Sequence, residues 1–195
     1  MNILPITREE AISWLKSMPQ LESDMNHYLE SEAIMRGLAE KFGEDVEYWG
    51  MLGLLHDVDW PLTKNDWKEH CIKAVELLKE KGFDDDFIEA VQSHGYGWDI
   101  IPALKDKKRN SKIQYSLAAA ETMTGIIFAY ALMRGKVISD MEVAGLKKKF
   151  KDKKFAENCN REIIREIELT GLSLDDFFSL SIEAVKKIKD QIGLC

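Results

Sequence analysis

The sequence predicts an all-α fold, and three observations carry that expectation. Nearly every segment repeats its apolar residues with a helical period. Helix-start signals recur along the chain, as in Thr7 followed by Glu10 and Ser173 followed by Asp176. No run alternates apolar and polar residues over five or more positions between turn signals, so no strand is expected.

In chain order, the Thr7/Glu10 capping box opens a first helix that runs to about Ser17, where Pro19 and Gln20 break it. A second helix covers about Glu22 to Phe42 and stops at Gly43; a third covers about Glu44 to His56. Pro61 and Thr63 start a fourth, which is expected to continue unbroken to near Gly82. A short helix from Asp85 to His94 leads into GYGWDIIP, a loop by its glycines and proline. The most apolar helix spans about Ser111 to Met133. Three more are expected at 140–150, 159–169 and 174–192, the last ended by Gly193.

With 195 residues, the chain is read as a single domain, 1–195, by the usual prior of about 150 residues per domain. A chain of this size buries roughly 70% of the surface its unfolded form exposes, enough for a core without staples. Its 34 acidic residues outnumber 27 basic ones, a net charge of −7, which argues against a nucleic-acid polymer as partner. Cys71, Cys159 and Cys195 are odd in number and widely spaced, so they suggest neither a disulfide framework nor a zinc ribbon. The segment MNILPITREEAISWLK lacks the pattern of a secretory leader. The apolar stretch Leu117 to Met133 is interrupted by Glu121 and falls short of the ~20 residues of a membrane span. The expectation is a cytoplasmic protein with no membrane partner.

Candidate chemistry begins with the four histidines. At about 100° per residue, His27, His56, His70 and His94 each fall on the apolar side of their helix. Any one alone reads as a core histidine bonded to backbone; four of four on inward faces suggest a metal. Asp57 follows His56 at a helix end, and two ligands from neighbouring positions need a distorted last turn or a bridged pair of ions. Glu121 shares a face with Ile113, Leu117, Thr124 and Phe128 in the most apolar helix. A lysine partner, a wetter face or a metal ion would each account for such a carboxylate. Cys71 adjoins His70 but points about 100° away on a helix, so it is not counted as a ligand.

Six lysines fall in the eight residues from Lys147 to Lys154, a local reversal of sign that is either a solvated helix face or a source of positive charge for an anionic substrate. Lys153, past the break at Asp152, and Lys64, at the start of the helix expected to carry His70, are the candidate substrate-binding residues. Trp60, Trp67 and Trp98 flank the histidine segments and either wall a pocket or pack in the core.

The ordered set His27, His56-Asp57, His70, His94 and Glu121 resembles the HD-domain superfamily of metal-dependent phosphohydrolases, in particular small bacterial and archaeal members. MLGLLHDVDW is similar to its signature helix end, and EHCIKAVELLKEKGF and FIEAVQSHG to the next two helices. The resemblance covers about residues 20 to 135, leaving about 136 to 195 as a C-terminal helical extension. It implies an HD-domain helical bundle in which His27, His56, Asp57 and Glu121 hold one ion and His70 and His94 a second. Asp57 bridges the pair and is the candidate catalytic residue.

The chemistry so implied is cleavage of a small anionic phosphate ester or nucleotide by metal-activated water, using one or two divalent ions of Fe, Mn, Zn, Ni or Co. Glu121 stands where the family usually has aspartate, and Asp59-Trp60 where many members have Gly-Lys. Two alternatives share the resemblance: a di-iron oxygenase, and a nucleotide-binding module with weakened catalysis.

Overall fold

The computed structural model describes residues 3–195. Among them no strand occurs, and the architecture is all-α. Helix α1 (Arg8–Ser17) starts at the predicted capping box: Thr7 Oγ1 accepts from the Glu10 amide, and the Glu10 carboxylate accepts from the Thr7 amide. Helix α2 (Glu22–Phe42) ends at Gly43, whose φ of 71° is the left-handed cap that favours glycine. Helix α3 (Val46–Leu55) is capped by Asp45, whose carboxylate accepts from the Glu47 and Tyr48 amides.

The segment after α3 departs from the expected unbroken helix over 63–82. It divides into α4 (Trp60–Thr63), a 3-10 turn at Trp67–Glu69 and α5 (Lys73–Glu80). Between them His70 is extended, with ψ 141°, and Cys71 is left-handed, with φ 64°. The cause is a side chain remote in sequence. Asp59 is fully buried, and its Oδ2 accepts from the Ala74 amide at 3.2 Å. No residue of the adjoining chain caps α5, so Asp59 satisfies one of its free N-terminal donors and fixes where that helix begins.

Helix α6 (Asp85–Gln92) passes through a 3-10 turn at Ser93–Gly95 into the predicted loop. Helix α7 (Lys112–Met133) comes next. At 22 residues it is long and apolar enough to cross a membrane, contrary to the expectation from the shorter apolar stretch, but over half of its most apolar window is buried in this protein. The extension comprises α8 (Val143–Lys151), α9 (Arg161–Arg165) with a 3-10 continuation to Thr170, and α10 (Leu174–Lys187), capped by Ser173 as predicted.

Helix α2 packs against α3, α7 and α10, while α9 and its continuation lie on α7. Residues of the extension, among them Ile164, Phe177, Phe178 and Val185, share one continuous core with Leu38, Leu52, Leu55, Leu78 and Ile126. A second, smaller cluster of Cys71, Tyr96, Ile101 and Leu104 lies under the loop after α6. Arg109 ties that loop to the extension: its guanidinium pairs with Glu166 and donates to the carbonyls of Ser93 and Tyr96.

One glycine sets the distance between α2 and α3. A Cβ at Gly53 would stand 2.6 Å from the Ser31 carbonyl oxygen, so α3 meets the backbone of α2 only because residue 53 has no side chain. Gly53→Ala is expected to push the two helices apart and cost roughly 1–3 kcal/mol, as overpacking does. Urea unfolding reads this as a lower midpoint; an unchanged midpoint would show that the contact is slack.

Candidate metal centre

Four helical elements deliver the histidines to one place. His27 comes from α2 and His56 from the residue just after α3. His70 comes from the extended step before α5, and His94 from the turn after α6. The chain just past α3 is tightened, with Val58 bonding back to Leu55 and Trp60 to Asp57 by three-residue steps. This distortion lets His56 and Asp57, adjacent in sequence, face the same point.

At that point the Asp57 carboxylate is surrounded by ring nitrogens. Its Oδ2 lies 3.6 Å from His27 Nε2, and its Oδ1 lies 3.5 Å from His56 Nε2, 3.4 Å from His70 Nε2 and 3.2 Å from His94 Nε2. The Nε2 atoms of His27 and His56 are 3.0 Å apart, and those of His70 and His94 are 3.2 Å apart.

The opposite ring nitrogens explain the orientation. His56 Nδ1 bonds the Gly53 carbonyl at 2.8 Å, and His94 Nδ1 bonds the Val91 carbonyl at 2.6 Å. His70 Nδ1 bonds the Asp59 carboxylate at 3.0 Å. His27 Nδ1 bonds Thr124 Oγ1 at 2.8 Å, and that hydroxyl donates onward to the Glu121 carbonyl. A carbonyl or carboxylate can only accept, and the Thr124 hydroxyl has already spent its proton, so each Nδ1 carries its own. With Nδ1 so held, each ring turns its Nε2 toward Asp57, the orientation in which histidines ligate metals.

Burial and charge set the protonation of the metal-free rings. Burial pushes the His56 imidazole down to about 3, against the pull of Asp57. Burial also lowers His70, but Asp59, Cys71 and Asp57 together raise it to about 10. His94 is likewise held above the usual histidine range by Cys71 and Asp57 despite its burial. The Asp57 carboxyl, though buried, is kept well below its ordinary value by His56, His94 and His70. Protons on His70 and His94 thus stand where a cation would take their place beside Asp57.

The donor set fits a divalent transition ion. Two tight groups of donors occur, His27–His56–Asp57 and His70–Cys71–His94. Imidazole, carboxylate and thiol together suit iron, zinc, cobalt, nickel or manganese better than magnesium. The structure thus brings five of the six expected residues into contact. Glu121 lines the same cavity but stands apart from both groups. Its Oε1 accepts from the Thr122 hydroxyl, and burial raises its carboxyl even though His94 and His27 pull it down.

Helical projection points Cys71 away from its neighbour His70, and the structure corrects this. The left-handed backbone at Cys71 cancels that 100° step, and its Sγ lies 3.4 Å from His94 Nε2.

A cavity of about 520 Å³ opens above the histidines. Trp60, Trp67 and Trp98 form one wall, with ring centroids 5.3 Å and 5.6 Å apart in succession. Asn158, Cys159 and Asn160 line the cavity as well, so the extension contributes to the site. A larger cleft of about 670 Å³ beside α2 and α10 lies away from both donor groups.

Lys64 and Lys153 do not line the cavity. Lys64 ends α4 instead of starting the helix that carries His70, and its carbonyl is taken by Trp67 Nε1. Lys153 is exposed beyond α8. The lysine run faces other partners: Lys147 pairs with Asp175, and Lys149 covers the Phe155 ring.

Asp59 is the functional residue that helical projection misses. Its two oxygens hold His70 and the start of α5 at once. The signal is present in the pattern His56-Asp57-Val58-Asp59, an acidic residue with an apolar context at a helix end. Asp59→Asn is expected to weaken metal binding by about 10–100-fold, as loss of an outer partner does. Titration with a competing chelator measures it; unaltered affinity would mean that Asp59 serves only the helix start.

Residues 25–125 match the family description "HD domain". The chain is 23% identical over 171 residues to a protein named Ribonuclease Y from Sulfurovum sp., covering 88% of this chain and 33% of that protein. It is 25% identical over 169 residues to Ribonuclease Y from Fusobacterium nucleatum, covering 85% of this chain and 32% of the relative. The chain thus spans about a third of the length of these curated relatives. No solved structure matches significantly. With a family match over more than half its length, this chain belongs to the HD-domain family of metal-dependent phosphohydrolases.

Proposed function

We propose that this protein hydrolyses a small phosphate ester or nucleotide with one or two divalent ions held by His27, His56, Asp57, His70 and His94. The observation that carries the reading is the common orientation of four imidazoles, each fixed at Nδ1 and each aiming Nε2 at Asp57. Bound there, a divalent ion acidifies water toward neutrality and so supplies a nucleophile, and a pair of ions can also clamp a phosphoryl group.

The chain's own residues set the surroundings. Asp57 is the shared anionic ligand and the candidate catalytic residue. Glu121, on the cavity wall, would join a ligand set through the oxygen that does not accept from Thr122. Trp60, Trp67 and Trp98 offer flat faces to an aromatic portion of the substrate, such as a nucleobase. Asn158 and Asn160 can donate to its polar groups. The relatives' name refers to RNA cleavage, which supports a phosphodiester within the substrate class. The acidic net charge favours a small substrate over a polymer.

A second reading has one observation in its favour. Among the described residues no lysine or arginine lines the cavity, as an anionic phosphate substrate would favour, and the same ligand order serves an iron-dependent oxygenase. Fold and ligands alone do not fix the chemistry.

Metal-loaded protein incubated with phosphomonoesters, phosphodiesters and nucleotides separates the two. Hydrolytic product is expected without oxygen, and its formation should stop when a chelator removes the ions. Turnover that requires oxygen and iron, with no phosphate-ester cleavage, would overturn the hydrolase reading.

A further inference from the structure

We propose that Cys71 is itself a metal ligand, its thiolate completing with Asp57, His70 and His94 the coordination of one of the two ions. This rests on the reading of the cluster as a metal centre.

His94 Nε2 has three donor atoms around it: Asp57 Oδ1 at 3.2 Å, His70 Nε2 at 3.2 Å and Cys71 Sγ at 3.4 Å. A ring nitrogen carries one lone pair or one proton in the plane of its ring and cannot bond well to three partners at once. A single ion among the four satisfies them together. With bonds of about 2.0–2.2 Å to nitrogen or oxygen and about 2.3 Å to sulfur, donors sharing a tetrahedral ion stand roughly 3.3–3.6 Å from one another. Four of the six spacings, at 3.2–3.4 Å with Asp57 Oδ1 to His70 Nε2 at 3.4 Å included, are close to that, and the Cys71 sulfur lies within 4.8 Å of a ring nitrogen of His70.

The backbone presents the sulfur. Residue 71 is left-handed, so consecutive side chains at 70 and 71 reach the same ring. Gly95 completes the seat: a Cβ there would lie 2.7 Å from Cys71 Sγ. The other face of the thiol is closed by Tyr96, Ile101 and Leu104, which leaves the histidines as its polar neighbours.

The chemical consequence concerns selectivity. As an ion binds, the thiol proton leaves to solvent. The thiolate and Asp57 then balance a double positive charge, with two neutral imidazoles as the remaining donors. Such a soft, filled set selects zinc, iron or cobalt over magnesium. A position for an outside ligand falls instead to the partner ion beside His27 and His56.

Cobalt(II) titration of the unaltered protein and of the double variant Cys159→Ser/Cys195→Ser tests this, because Cys71 is then the last cysteine. Both should develop a strong near-ultraviolet thiolate-to-cobalt charge-transfer band as cobalt binds, and Cys71→Ser should lose it. Should Cys71→Ser fail to fold, X-ray absorption of the zinc-loaded double variant gives the same answer through a sulfur neighbour at about 2.3 Å. Cobalt bound without the band, a band that survives in Cys71→Ser, or a nitrogen- and oxygen-only zinc shell would overturn the assignment while leaving the metal centre standing. Failure of the unaltered protein to bind cobalt would remove both.

Discussion

The site depends on one carboxylate shared by four imidazoles. Asp57 sits where the Nε2 atoms of His27, His56, His70 and His94 converge within 3.6 Å. A largely buried anion is tolerated only with compensation, and burying His56, His70 and His94 beside a half-buried His27 is costly for the same reason. Carboxylate and rings resolve each other's cost, through protons when no ion is bound and through a cation when one is. Every Nδ1 bond around the cluster serves that constraint, since a ring free to flip would lose its place against Asp57.

The rest of the fold is arranged to hold those rings. Gly53 lets α2 and α3 touch, which brings His27 to His56. Asp59 starts α5 from a distance, and the break it creates turns His70 and Cys71 inward. Arg109 gathers the carbonyls around His94 and fastens them to Glu166. The extension does more than pack on α2 and α7. Its segment around Cys159 reaches the cavity because Gly125 leaves no Cβ in the way; one there would lie 2.6 Å from Cys159 Sγ.

Much of this is legible in the sequence, and the limits have physical causes. Helix ends marked by local chemistry are readable: the Thr7/Glu10 box, Gly43, Ser173 and Gly193 all stand at element boundaries. The histidines and Asp57 emerge from helical phase and from a family resemblance in their order. The break between Thr63 and Lys73 is hidden because its cause, the Asp59 carboxylate, acts across eleven to fifteen residues. Phase arguments assume a continuous helix, so one left-handed residue is enough to misdirect Cys71. Lys64 and Lys153 stand out by charge and proximity in sequence, and neither property fixes where a long side chain ends. Asn158 and Asn160 carry no signal of a place at the cavity, because that place arises only when the extension folds back on α7.

The central claim is that Asp57 joins the two halves of one metal centre. The most direct test is the metal content of purified Asp57→Asn protein beside the unaltered protein, after both are saturated with zinc or cobalt and freed of loosely held ions. The account predicts that the single change empties both positions, with the helical circular dichroism retained. Asp57→Asn protein that keeps the same number of tightly bound ions as the unaltered protein would contradict it.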